Sequence, residues 1–158
     1  MPPITMNNNF ESLLNPQKYQ VFLFTCQASL PCSFALHPWF VINKKGVISR
    51  WEVFHKPKQN ESSWGHIHKD FYPPLFGIAK FSFSEKYLWK QPKLVGYVEG
   101  DEQSFVNRMI MFIEASPQSY FYANTYSLKG PNSNTYAKWI LNNFPESKLF
   151  LSKRSIGK

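Results

Sequence analysis

Gly130-Pro131-Asn132-Ser133-Asn134-Thr135-Tyr136 is the stretch on which the reading of this chain turns. Asn and Ser are favoured helix caps, because a short side-chain oxygen can accept from the unpaired amides of the first turn. Pro fits a first turn, where its missing N–H would have no partner anyway. Beyond it Tyr136 and Ile140 share a face and Pro145 closes the run, so the spacing predicts a helix over 133–144. A helix start is also a place for chemistry. Its exposed amides and the positive end of the dipole favour negative charge and can steady an oxyanion. A serine there needs a base, because its hydroxyl is a poor nucleophile near neutral pH. The residues alone leave Ser133 open as a plain helix residue or a nucleophile.

The candidate bases are His37, His55, His66 and His68. His37 lies in Phe34-Ala35-Leu36-His37-Pro38-Trp39, within a strand expected over 34–43. Alternation places it on one face with Ala35, Trp39 and Val41. It reads either as a hydrogen-bonded core residue or as a base. The next strand, 47–55, carries Glu52 and His55 on opposite faces. Only one of them can share the face of His37 and orient its ring.

Outward from these residues, Tyr19–Gln27 is rich in β-formers and reads as a buried strand. Pro31-Cys32-Ser33 is a turn, and Pro38 implies an edge strand or a bulge. Lys44-Lys45-Gly46 joins two strands as a hairpin. Residues 56–77 are polar and irregular and read as a long loop holding His66-Ile67-His68. Further strands are expected over 78–87 and 94–99. A helix is expected over 101–115, with Asp101 as cap, Phe105, Met109, Phe112 and Ile113 on one face, and Pro117 as its stop. Residues 120–127 read as extended, and the tail from 149 is unassigned. The fold class is α+β, an antiparallel sheet packed with helices. Residues 1–18 are expected to be a flexible arm and 19–158 a single domain.

Composition bounds the function. Aromatic residues make up 18% of the 158-residue chain, which implies an aromatic-rich core rather than a disordered tail. The net charge of +8 serves solubility or attracts an anionic surface or partner. The basic residues are spread along the chain with no arginine stripe or zinc-finger spacing, so nucleic acid is not the expected partner. Two cysteines make no disulfide framework, and Cys32 reads as a small buried residue or a thiol nucleophile. His66-Ile67-His68 with Asp70 or His55 is too sparse for a metal centre, so neither a metal nor a cofactor is expected. With no signal-peptide pattern and no run of roughly 20 apolar residues, a cytoplasmic location is expected, non-classical export being left open.

Four segments carry a resemblance. Residues 34–39, the strand Leu94-Val95-Gly96-Tyr97-Val98-Glu99-Gly100, the Gly130–Tyr136 motif and the Ile156-Gly157-Lys158 end resemble a bacterial family of domains of unknown function, over roughly residues 21–158. More distantly, the chain is similar to circularly permuted papain-like domains of the lecithin retinol acyltransferase and cell-wall amidase kind. Those place a histidine on an early strand and a nucleophile late, in an Asn-Cys-x-x-Phe pattern opening a helix. His37 matches the histidine and Asn132-Ser133-Asn134-Thr135-Tyr136 the late pattern, with Ser133 standing where that family has cysteine.

The resemblance implies an acyltransferase or an amide or ester hydrolase. Ser133 would be the nucleophile and His37 the base, with Glu52 or His55 orienting it. Asn132, Asn134 and Trp39 would bind the oxyanion or substrate. The alternative is a non-catalytic module of the same fold that meets an anionic partner through its basic aromatic surface.

Overall fold

The computed structural model describes residues 8–29, 32, 34–78 and 90–157. Its frame is one five-stranded antiparallel sheet in the order β4-β3-β2-β1-β5. The strands are β1 (Tyr19–Gln27), β2 (Leu36–Lys44), β3 (Val47–Asn60), β4 (Ser63–Lys69) and β5 (Lys93–Gly100). The helices are α1 (Asn8–Leu13), α2 (Phe105–Glu114), α3 (Ser116–Ser119) and α4 (Ser133–Asn143), followed by a 3-10 turn at Pro145–Ser147. Among the described residues no helix is long and apolar enough to cross a membrane.

Side-chain alternation gives the sheet two apolar faces. Val21, Leu23, Phe40, Ile42, Trp51 and Val53 point to one, where they pack with α2 and α4. Phe22, Phe24, Trp39 and Val41 point to the other, where Phe10 of α1 covers them. The helix α2 docks through Val106, Met109, Ile110 and Ile113, all buried. Burying each such side chain is worth about 1.5–3 kcal/mol, more than the roughly 1 kcal/mol of a cap. The apolar stripe therefore sets how α2 lies. Phe105 and Phe112, expected in that stripe, are half-buried at its margin.

Several expectations change here. From Asn8 the N-terminal arm is helical, and Phe10 is buried edge-on between Phe22 and Phe24. The residues 56–69 are no irregular loop: β3 runs on to Asn60 and returns as β4. Their polar residues hid the alternation, because Ser63, His66 and His68 are themselves buried. Pro38 lies on an interior strand. It is tolerated because β3 pairs with β2 only from Phe40 onward, so no ladder partner waits for a Pro38 amide on that side.

The cap of α2 is Ser104, whose hydroxyl accepts from the Asn107 amide; Asp101 instead pairs with Lys18 at 2.6 Å. Pro117 stands in the first turn of α3; of the stretch expected to be extended, Tyr120 has extended backbone but residues 121–124 form a turn. The strand expected over 78–87 lies outside the described residues except for Ile78, as do Pro31 and Ser33 of the expected turn. The β2–β3 hairpin closes as expected. Lys45 and Gly46 both have positive φ, 52° and 90°, which is what a two-residue turn matched to sheet twist demands.

Candidate functional site

The first residue of α4 and the first residues of β2 meet at one end of the sheet. The chain achieves this through the asparagines of the 130–136 motif. Asn132 caps α4: its Oδ1 accepts from the Asn134 and Thr135 amides, at 2.9 and 3.3 Å. Its Nδ2 donates to the Leu128 and Ile156 carbonyls, both at 3.1 Å. Asn134 Nδ2 donates to Leu36 O of β2 at 2.9 Å and to Ile156 O at 3.0 Å. Thr135 Oγ1 donates to Gly157 O, and the Asn132 amide donates to Thr135 Oγ1. The motif thus clamps the helix start to β2 and to the chain's tail.

Both asparagines were expected at an oxyanion or substrate. Their amide hydrogens are spent on backbone carbonyls instead. Exchanging Asn132 for alanine is expected to cost about 1–2 kcal/mol, chiefly the lost cap, because the Ile156 carbonyl keeps its bond from Asn134 and only the Leu128 carbonyl loses its donor. Urea unfolding measures it; a loss below 0.5 kcal/mol, roughly that of an ordinary surface exchange, would deny the clamp.

On the sheet side, His37 Nε2 lies 2.9 Å from Glu52 Oε2. Glu52 is held in turn by Arg50, whose Nη2 donates to Oε2 at 2.7 Å. Arg50 Nε is also 2.7 Å from Oε1, at ion-pair distance although its N–H is not aligned for a hydrogen bond. Arg50 Nη1 donates to the carbonyls of Pro73 and Phe76. The guanidinium lies over the rings of Trp39, at 4.3 Å, and Tyr72, at 5.6 Å. His37, Glu52 and Arg50 are 4%, 0% and 0% exposed, so the whole row is out of water.

The electrostatics fix the proton positions. Burial raises the Glu52 carboxyl, but Arg50 and then His37 more than offset it, and the group ends below its ordinary value of 4.5. A carboxylate only accepts, so the hydrogen bond requires the proton on His37 Nε2. In the neutral ring Nδ1 then carries the lone pair.

A pocket of about 700 Å³ opens above this row. His37 and Leu36 form one side and Asn132, Ser133 and Asn134 another, with Phe54 and Tyr126 among the walls. Ser133 is 5% exposed. Ser133 and His37 both line this pocket, and no hydrogen bond joins them among the described contacts. Asn132 takes the Asn134 and Thr135 amides, so Ser133's own N–H is the donor left in the first turn of α4.

The other expected residues fall elsewhere. His55 lines the pocket but its ring lies against His66 and Tyr126, not against His37; Glu52 alone of the pair reaches His37. Trp39 is buried beneath the site, its Nε1 bonded to Pro74 O at 3.0 Å, and is not part of the pocket wall. His66 bonds Phe54 O and His68 bonds Ser63 Oγ, so the two rings serve different neighbours. Burial pushes His68 down to about 4. Among the described residues no three His, Cys, Asp or Glu side chains converge as a metal set would. Burial pushes the Cys26 thiol up to about 12, while Cys32 lines the pocket.

Arg50 is the residue that sequence reasoning missed. The signal was available: Arg50-Trp51-Glu52 on a strand puts the guanidinium and the carboxylate on one face.

Fold and site together define an antiparallel α+β protein in which a buried Arg–Glu–His row backs an apolar pocket at a helix start. The chain belongs to the family described as "Protein of unknown function (DUF3750)", which matches residues 18–158. No curated protein and no solved structure matches it.

Proposed function

We propose that this protein is an acyl-transfer or amide- or ester-hydrolysing enzyme on a circularly permuted papain-like fold. The observation that carries the reading is that His37, hydrogen-bonded to the buried Glu52, lines the same pocket as Ser133. The order of parts also supports it: histidine strand, then carboxylate strand, then a helix that begins with the nucleophile.

In this reading Ser133 Oγ adds to the substrate carbonyl carbon and its proton passes to His37 Nδ1. The Ser133 backbone N–H donates to the developing oxyanion. Collapse of the adduct expels an amine or alcohol, which takes the proton from His37. The acyl group, now an ester of Ser133, passes by the reverse steps to water or to another acceptor. Glu52 holds the ring in the required tautomer and stabilises its cation, with Arg50 fixing Glu52. Catalytic hydrogen bonds often close only once substrate is bound, so the absent Ser133–His37 bond is compatible with this route.

That same absence, with oxygen where the permuted thiol enzymes carry sulfur, favours a second reading. In it the pocket binds a ligand without reacting. A fluorophosphonate probe separates the two. The enzyme reading expects a single covalent adduct, mapped by peptide mass spectrometry to Ser133, and lost in Ser133→Ala and His37→Ala but kept in Cys32→Ala. No adduct, or one on another residue, overturns it in favour of the binding module.

A further inference from the structure

The pocket carries more information than its reactive corner. Its walls are mostly rings and aliphatic chains, Leu36, Phe54, Tyr72, Tyr126 and Ile156 among them. Its volume falls in the range of about 300–1,000 Å³ that holds one small molecule. Two large apolar side chains at its mouth are strongly exposed, Phe34 at 63% and Leu128 at 68%.

Among the described residues the charges lining the mouth have one sign. Lys129 and Lys56 line the pocket, the latter with its ammonium over the Phe71 ring at 5.7 Å, and no Asp or Glu is among the described lining residues. Arg154 is tied beside Phe34, its Nε donating to the Phe34 carbonyl at 3.2 Å. The Glu52 carboxylate behind His37 is buried and paired with Arg50. A cationic rim around an apolar cavity favours a ligand with an apolar body and a negative group at its outer end.

We propose that the pocket takes a single anionic amphiphile, bound with its apolar body between Phe54 and Leu128 and its anion at Lys129 and Arg154. This rests on the enzyme reading only in that the same molecule would then present its ester or amide to Ser133.

Binding is tested without turnover. The probe 8-anilinonaphthalene-1-sulfonate and its uncharged analogue N-phenyl-1-naphthylamine share one ring system and differ in the sulfonate. Fluorescence titration of the full chain is expected to give a Kd at least about tenfold lower for the anion. Dodecanoate is expected to displace it and dodecyltrimethylammonium not to. The variant Lys129→Glu/Arg154→Glu, changed only at exposed positions, is expected to weaken the anionic probe about tenfold and leave the neutral probe unchanged. Ala35→Trp, which fills the pocket wall, is expected to abolish binding of both. Its thermal unfolding is compared with that of the wild type to confirm folding.

Equal affinity for the two probes overturns the proposal, as does an anionic probe indifferent to the charge reversals or to Ala35→Trp. Selective anion binding with no phosphonate adduct would keep the ligand class and remove the enzyme. An adduct on Ser133 with no preference for the anion would do the reverse.

Discussion

Exchanging Arg50 for methionine is expected to destabilise the fold by about 3–5 kcal/mol, the usual cost of stranding one member of a buried ion pair. For a chain of this size that lowers the unfolding midpoint by roughly 6–20 °C. The loss arises at Glu52, which is fully buried and has Arg50 as its main counter-charge. It also arises at the Pro73 and Phe76 carbonyls, which lose their donor. The pH dependence identifies the cause. Glu52 has a folded value below the ordinary 4.5, so its contribution is present above that pH and fades as pH falls through the folded value. In the variant the carboxyl is buried without its cation, so burial alone raises it and the variant gains relatively from acid. The gap between wild type and variant is therefore expected to be widest near pH 7 and to narrow towards pH 4. Adding Glu52→Gln to Arg50→Met should recover part of the loss. Urea unfolding at both pH values measures all of this. An equal gap at the two would mean that Arg50 acts by packing on Trp39 and Tyr72 and not by charge.

Exchanging Ser133 for alanine is expected to lower turnover of an activated ester by at least about a thousandfold, as loss of a nucleophile does in enzymes whose reacting groups act as a unit. A suitable substrate is the p-nitrophenyl hemiester of dodecanedioic acid, which combines an apolar chain, a carboxylate and a reactive carbonyl. Stability should hardly move, by less than about 0.5 kcal/mol. The cap of α4 belongs to Asn132, and the Ser133 hydroxyl holds no hydrogen bond among the described residues. The contrast with Asn132→Ala is the point: one neighbour carries the proposed chemistry and the other carries the helix. Retained turnover in Ser133→Ala would remove the serine mechanism.

Much of the frame was readable from local pattern. Tyr19–Gln27, the Lys45-Gly46 hairpin and the start of α4 at Ser133 each combine a strong residue preference with a clear boundary. The β3–β4 hairpin was not readable, because its buried residues include Ser63, His66 and His68 and so do not look apolar. The shift of the α2 cap from Asp101 to Ser104 has a similar origin. Either residue can cap a helix, and the pairing of Asp101 with Lys18, 83 positions away, decides between them.

The site divides in the same way. The 130–136 motif declared a capped helix start by itself, since capping needs only near neighbours. A side-chain period of two put His37 on the Trp39 face and made Glu52 or His55 its partner, never both. Only the folded sheet decided for Glu52, by setting β3 beside β2 so that carboxylate and ring meet at 2.9 Å. It also spent Asn132 and Asn134 on Leu36, Leu128 and Ile156 carbonyls, contacts that reach up to 98 residues along the chain. Such pairings leave no trace in a local pattern, because they depend on which backbone groups the rest of the fold leaves without partners.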